Sequence, residues 1–163
     1  AVRRWYRDPE LARLTRYSLR PMSDEDIDRF FHSRLMSPEQ VAYAITVRDG
    51  GRLIGSTTFS NLDPENGSTL YHITIGEPDA WGLGYGTEAT ELMLGLAFDG
   101  IGLHRVALSV FDFNTRAIRR YENAGFSVEG RHREAIVRDG GRWDELTMGI
   151  LASEWQATRP DDR

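Results

Sequence analysis

The chain has 163 residues, 40% of them hydrophobic and 28% charged, with a formal net charge of −5. That size and balance predict one folded, soluble domain spanning residues 1–163, and they argue against nucleic acid or an anionic membrane as the main partner. Cysteine is absent, which excludes disulfides, thiolate metal sites and a cysteine nucleophile.

All 20 basic residues are arginine, so lysine bases and Schiff-base chemistry are excluded as well. His32, His72, His104 and His132 lie far apart and form no ligand motif, so no metal is expected. No apolar run approaches the roughly 20 residues that span a bilayer, and no signal peptide is visible. A cytoplasmic location is the expectation.

In chain order, Trp5 to Arg16 reads as a helix, with Asp8 as cap and Pro9 in the first turn. Ser23 opens a second helix to about Arg34, where Asp24, Glu25 and Asp26 suit the positive end. Val41 to Val47 alternates as a strand, Asp49-Gly50-Gly51 signals a hairpin, and Arg52 to Ser60 returns. After the polar loop Asn61 to Ser68, a third strand runs from Thr69 to Ile75. A helix follows from Thr87 to about Asp99, with Ala89, Leu92, Met93, Leu96 and Ala97 on one face. Arg105 to Phe111 is a strand, Asn114 caps a helix to Ala124, and Phe126 to Val137 with Arg142 to Leu151 forms a closing hairpin. This order predicts an α/β domain: a mixed sheet with helices packed on its faces.

Between the third strand and its helix stands Trp81-Gly82-Leu83-Gly84-Tyr85-Gly86-Thr87. Glycine lets a backbone approach a ligand closely, and the free N–H groups of a helix start carry the positive end of the dipole. Strand, glycine loop and helix start together predict an anion cradle, suited to a pyrophosphate.

From about Tyr43 to Trp155 the chain resembles the GCN5-related N-acetyltransferase superfamily, nearest its RimJ/RimL-like branch of ribosomal-protein alanine N-acetyltransferases. Gly82-Leu83-Gly84-Tyr85-Gly86-Thr87-Glu88-Ala89 is similar to that family's pyrophosphate loop. Asn114-Thr115-Arg116-Ala117 and Tyr121-Glu122-Asn123-Ala124-Gly125-Phe126 are similar to its second motif. The resemblance implies a single-domain fold with a mostly antiparallel mixed sheet, helices on both faces and splayed central strands. It implies acetyl-CoA as cosubstrate and an amine as acceptor. The family's first strand has no counterpart here if Trp5 to Arg16 is its first helix, and Trp81 stands where Gln or Arg is frequent.

Carried over residue by residue, the resemblance places Ile73, Thr74 and Ile75 beside the pantetheine arm, with an N–H near Ile75 polarising the thioester carbonyl. Trp81 and Gly82 to Thr87 hold the pyrophosphate. Asn114 and Ala117 line the arm, and Arg116, Arg119 or Arg120 reaches the 3′-phosphate. Tyr121 protonates the departing thiolate, a task that suits a phenol better than that of base. Glu77, and His72 on the preceding strand, are the candidate bases; a structural role competes for both.

The expected activity is therefore acetyl transfer to a primary amine, with a peptide or protein α-amino group ahead of an aminoglycoside or polyamine. A protein acting as monomer or homodimer fits. Two rivals stand beside it. Gly84-Tyr85-Gly86-Thr87-Glu88-Ala89 matches a dinucleotide pattern, but too little chain remains for a doubly wound sheet. A non-catalytic acetyl-CoA-binding module would carry the same motifs.

Overall fold

The computed structural model describes residues 1–159. Three helices come first: α1 (Val2–Arg7), α2 (Pro9–Thr15) and α3 (Asp24–Leu35). The single helix expected over Trp5 to Arg16 is thus two. Pro9 has no N–H to donate, and Asp8 before it is extended (φ −67, ψ 118), as a pre-proline residue prefers. Asp8 still caps α2 through its bond from the Leu11 N–H at 2.9 Å. Ser23 caps α3 in a reciprocal box with Asp26.

The strands are β1 (Val41–Thr46), β2 (Leu53–Asp63), β3 (Ser68–Ile75), β4 (Arg105–Phe111), β5 (Ser127–Arg138) and β6 (Gly141–Leu151). They form one sheet in the order β1-β2-β3-β4-β6-β5. Every neighbouring pair is antiparallel except β3 and β4. Among the described residues no strand precedes Val41, in line with the expected lack of a first strand. Helix α4 (Tyr85–Gly95) continues as a π turn over Leu96–Ile101 and stops at Gly102, whose φ is +80. Helix α5 (Thr115–Asn123) follows β4, and α6 (Ala152–Ala157), which the sequence reading did not identify, ends the described chain.

Strand alternation sorts the helices onto two faces. Phe59 and Tyr71, paired across β2 and β3, join the main core with Met93 and Leu94 of α4, Ala97 of the π turn, Tyr121 of α5 and Trp155 of α6. Ser56 and Thr74, of opposite parity, face Trp5, Leu11 and Phe31 of α1 to α3. Leu92 does not join the α4 core face; it is 69% exposed. The buried face runs through Ala89, Thr90, Met93, Leu94 and Ala97 instead, and Leu92 lies about 130° around the helix from the centre of that face.

The central pair shapes the rest. β3 and β4 are in register only at Ser68↔Arg105, Thr69↔Val106 and Leu70↔Ala107. Beyond Leu70 and Ala107 each strand follows its outer partner, β3 along β2 to Ile75 and β4 along β6 to Phe111. The two ends therefore part over roughly 13 Å of strand.

The far end of β3 is clamped to α1. The Trp5 indole packs directly on Gly76: a Cβ added there would sit only 2.1–2.5 Å from three of its ring atoms. Its Nε1–H donates to Glu77 Oε1 at 2.7 Å. A Gly76→Ala substitution should therefore lower stability by roughly 1–3 kcal/mol through overpacking. Urea melts of the two proteins check this; an unchanged midpoint would mean that the indole is free to move aside.

Candidate functional site

The parted strands leave a slot through the sheet, and a cavity of about 690 Å³ follows it. Its lining draws on both faces. Ile73, Ile75, Trp81, Gly82, Gly84, Gly86, Thr87, Asn114, Ala117, Arg119 and Tyr121 line it, and all eleven were expected at the site from the sequence. Leu11, Tyr17, Arg34, His72, Phe111 and Glu145 also line it.

At one mouth stands the glycine loop. Gly82 and Gly84 have φ of +77 and +88, and a Cβ on either would meet nothing within 4 Å. Their hydrogens face open space. The Trp81 N–H is taken by Pro78 O at 3.1 Å, and those of Thr87 and Glu88 by Gly84 O, each at 3.0 Å. Between them, the amides of Gly82 to Gly86 have no backbone acceptor outside the helix, and Tyr85 and Gly86 open α4 too early to have one within it. Free N–H groups at a helix start, beside empty space, form an anion cradle. The Leu83 and Tyr85 side chains lie outside the cavity lining, and Leu83 is 64% exposed; these two residues contribute backbone only.

The β3 edge offers further donors. Gly76 N–H donates to Ile54 O at 2.8 Å. Alternation then turns the Thr74 N–H toward β2 and the Ile75 N–H toward the slot, where β4 no longer pairs. Thr74 is accordingly a correction: its backbone bonds β2 and its side chain faces α1 to α3. Ile75 O is occupied by the Trp81 Nε1–H at 2.8 Å, which ties the loop to the strand end. Arg116 stacks on the other side of this anchor, its guanidinium carbon 4.6 Å from the Trp81 ring centroid.

Tyr121 is buried and touches Tyr71 and Phe126 edge-on, with centroids at 6.5 and 5.7 Å. Its hydroxyl accepts from Arg120 Nη2 at 3.2 Å. Asn114 caps α5, its Oδ1 accepting from the Ala117 N–H at 3.3 Å. Glu77 is the second correction. Its carboxylate accepts from Trp5 and is ion-paired with Arg4, and it lies outside the cavity lining. The Trp5 hydrogen bond, followed by that from Arg4, holds its pKa below the usual carboxylate value. An ionised, doubly tied carboxylate clamps α1 to β3 and is a poor base.

The opposite mouth holds what sequence reasoning missed. Glu145 is 8% exposed and accepts from the Tyr17 hydroxyl, while His132 Nδ1 lies 3.3 Å from its other oxygen. Burial, then the bond to Glu145, pushes the Tyr17 phenol up to about 12. Tyr17 also packs edge-on against Phe111, at 5.3 Å. Because 128 residues separate Tyr17 from Glu145, no local pattern joins them. Arg34 borders the same mouth. His72 Nε2 lies 2.7 Å from Ser60 Oγ, and burial, aided by Arg34, lowers its pKa to about 4. Among the described residues there is no cluster of His, Cys, Asp or Glu able to hold a metal ion, and no helix long and apolar enough to cross a membrane.

Residues 1–127 match the model of the acetyltransferase (GNAT) domain, and the chain belongs to that family. It is 28% identical over 112 residues to the uncharacterized N-acetyltransferase YokL, derived from the SPβ prophage of Bacillus subtilis. That alignment covers 69% of this chain and 63% of YokL, so less than two thirds of the relative is spanned. It is 24% identical to the uncharacterized N-acetyltransferase p20 of Bacillus licheniformis, over 93% of this chain and 85% of p20. In fold it is similar to the spermidine N-acetyltransferase of Vibrio cholerae, crystallised with CoA and spermine (TM-score 0.80, 20% identity, 93% of this chain and 88% of that one).

The His72 shift fixes a pH dependence. Between pH 6.5 and about 4 the unfolded chain binds a proton that the folded one refuses, so stability falls as pH drops through that window. The loss is at most on the order of 3 kcal/mol. Chemical melts at several pH values should show a shallower slope for His72→Gln; identical slopes would mean that the folded imidazole titrates normally.

Proposed function

We propose that this chain is an acetyl-CoA-dependent N-acetyltransferase acting on a primary amine, and that the amine is the α-amino group of a peptide or protein. The observation that carries the reading is the slot: an anion cradle at one mouth, a buried carboxylate at the other, and Tyr121 lining the cavity from the α4–α5 face.

The cradle and the open β3 edge fit acetyl-CoA. The amides of Gly82 to Gly86 take the pyrophosphate, with Arg116 and Arg119 at the mouth beside them. Ile75 N–H donates to the thioester carbonyl, an oxyanion-type contact. Acetyl-CoA supplies the activated acyl group. Tyr121 then gives its proton to the sulfur as the carbon–sulfur bond breaks. With no cysteine in the chain, the neutral amine attacks directly with both ligands bound; the proton that the nitrogen then sheds goes to water, and water reprotonates the Tyr121 phenolate. Kinetics should give intersecting double-reciprocal plots.

The acceptor follows from the other mouth. A lysine-like amine needs roughly 4.6 kcal/mol to be deprotonated at pH 7, and an α-amine about 1 kcal/mol. Glu145 already accepts from Tyr17, and His72 is a weak base; both favour the α-amine. Arg34 borders the same mouth. It would repel a second ammonium of a polyamine but would donate to the carbonyl that adjoins a peptide α-amine. A polyamine acceptor is the second reading, favoured by the spermine-bound structure of similar fold.

CoA release should be measured across peptides with free and blocked N-termini, spermine, spermidine and aminoglycosides. Turnover with free N-termini is expected. Turnover with polyamines alone would reverse the preference, and none with any amine would make the chain a binding module. Tyr121→Phe should lower kcat by roughly 10²-fold while leaving acetyl-CoA affinity unchanged; equal losses in both would make it a packing residue. In calorimetry, a folded Gly84→Val protein should bind acetyl-CoA about tenfold more weakly or worse. Unchanged affinity would misplace the cradle.

A further inference from the structure

Arg120 occupies an unfavourable place as the molecule stands. Its Nη1 overlies Gly86, in the first turn of α4, where a Cβ would lie 2.6 Å from that nitrogen. A guanidinium at a helix N-terminus has the wrong sign for the dipole. Its Nε is buried and has no hydrogen-bond partner. The ion pairs among the described residues give it no carboxylate, whereas Arg4, Arg105, Arg131 and Arg159 each have one. Its one side-chain hydrogen bond among the described residues runs from Nη2 to the Tyr121 hydroxyl, with the guanidinium carbon 4.9 Å from that ring's centroid.

Gly86 points the same way. Its φ is not positive, so the backbone there does not require glycine, and glycine weakens a helix relative to alanine. What the missing side chain provides is room for the Arg120 head. An anion seated on the cradle would supply the charge that both the helix start and the guanidinium lack.

We infer that Arg120 joins the two halves of the site: it binds the anion held by the amides of Gly82 to Gly86 and, through the same guanidinium, positions the Tyr121 hydroxyl. A pyrophosphate on the cradle fixes Arg120, and Arg120 fixes the acid. Arg120 is thus a positioning residue for the thiolate-protonating step, and it makes that step depend on an occupied cradle. This rests on the acetyl-CoA reading above and goes beyond it by tying recognition of the phosphates to the orientation of the acid.

The test uses inorganic pyrophosphate and CoA as probes, on the wild-type protein and on Arg120→Met. Calorimetry should show both probes binding Arg120→Met about tenfold more weakly. Without ligand, the melting temperature of Arg120→Met should equal or exceed that of the wild type, because a mispaired cation has been removed. With S-acetylpantetheine, a donor that lacks the pyrophosphate, added pyrophosphate should raise turnover of the wild type and not of the variant. Gly86→Ala, which displaces the guanidinium and keeps its charge, should shift all three readouts in the same direction as Arg120→Met and serves if that protein folds poorly. Equal pyrophosphate affinity in wild type and variant overturns the inference. Weaker pyrophosphate binding with an unchanged kcat on acetyl-CoA overturns the link to Tyr121. Failure of the wild type to bind either probe overturns the acetyl-CoA reading instead.

Discussion

Everything at the site depends on one unmade set of hydrogen bonds, those that β3 and β4 would share beyond Leu70 and Ala107. A parallel pair in the middle of a sheet ordinarily continues, because buried N–H and C=O groups left open are destabilising. Here each strand is committed elsewhere. β3 is in register with β2 to Ile75, and β4 with β6 to Phe111. Twist carries the two antiparallel halves apart, and the groups between them stay open to a ligand. The slot is thus the fold's own discontinuity, not a hollow carved into a finished sheet.

A discontinuity of this kind has to be held open, and the holding residues are not those that face the ligand. Trp5 lies on Gly76 and bonds Glu77, Arg4 pairs with the same carboxylate, and Trp81 takes the Ile75 carbonyl. These contacts fasten the free end of β3 to α1 on one side and to the glycine loop on the other. Glu77 looks catalytic from its place in the sequence and is structural for this reason. An ionised carboxylate with an indole and a guanidinium on it is a fastener.

Much of this was legible in advance wherever the signal was local. Alternation marked β1, the Asp-Gly-Gly turns marked both hairpins, and the glycine loop before α4 marked the cradle. Resemblance carried the splay, which no pattern within β3 or β4 encodes. Asp8 and Pro9 do cap and open a helix, as their sequence announces, but the turn before them, Val2–Arg7, is a separate helix and not part of one running from Trp5 to Arg16. Leu92 was misplaced because period alone does not say where a buried face ends. Tyr17 with Glu145, and Arg120 with Gly86, were out of reach. Each pair is made by the topology, and in each the chemistry belongs to the contact and to neither residue alone.

The slot runs from one face of the sheet to the other, and its two mouths belong to different layers of helices. Traffic through the molecule is therefore two-sided. The glycine loop borders the cavity from one layer, and Tyr17 and Glu145 border it from the other. A single compound long enough to thread the sheet would occupy both mouths at once. It would gain the effective concentration that tethering confers, with the thickness of one β-sheet setting the length of the tether.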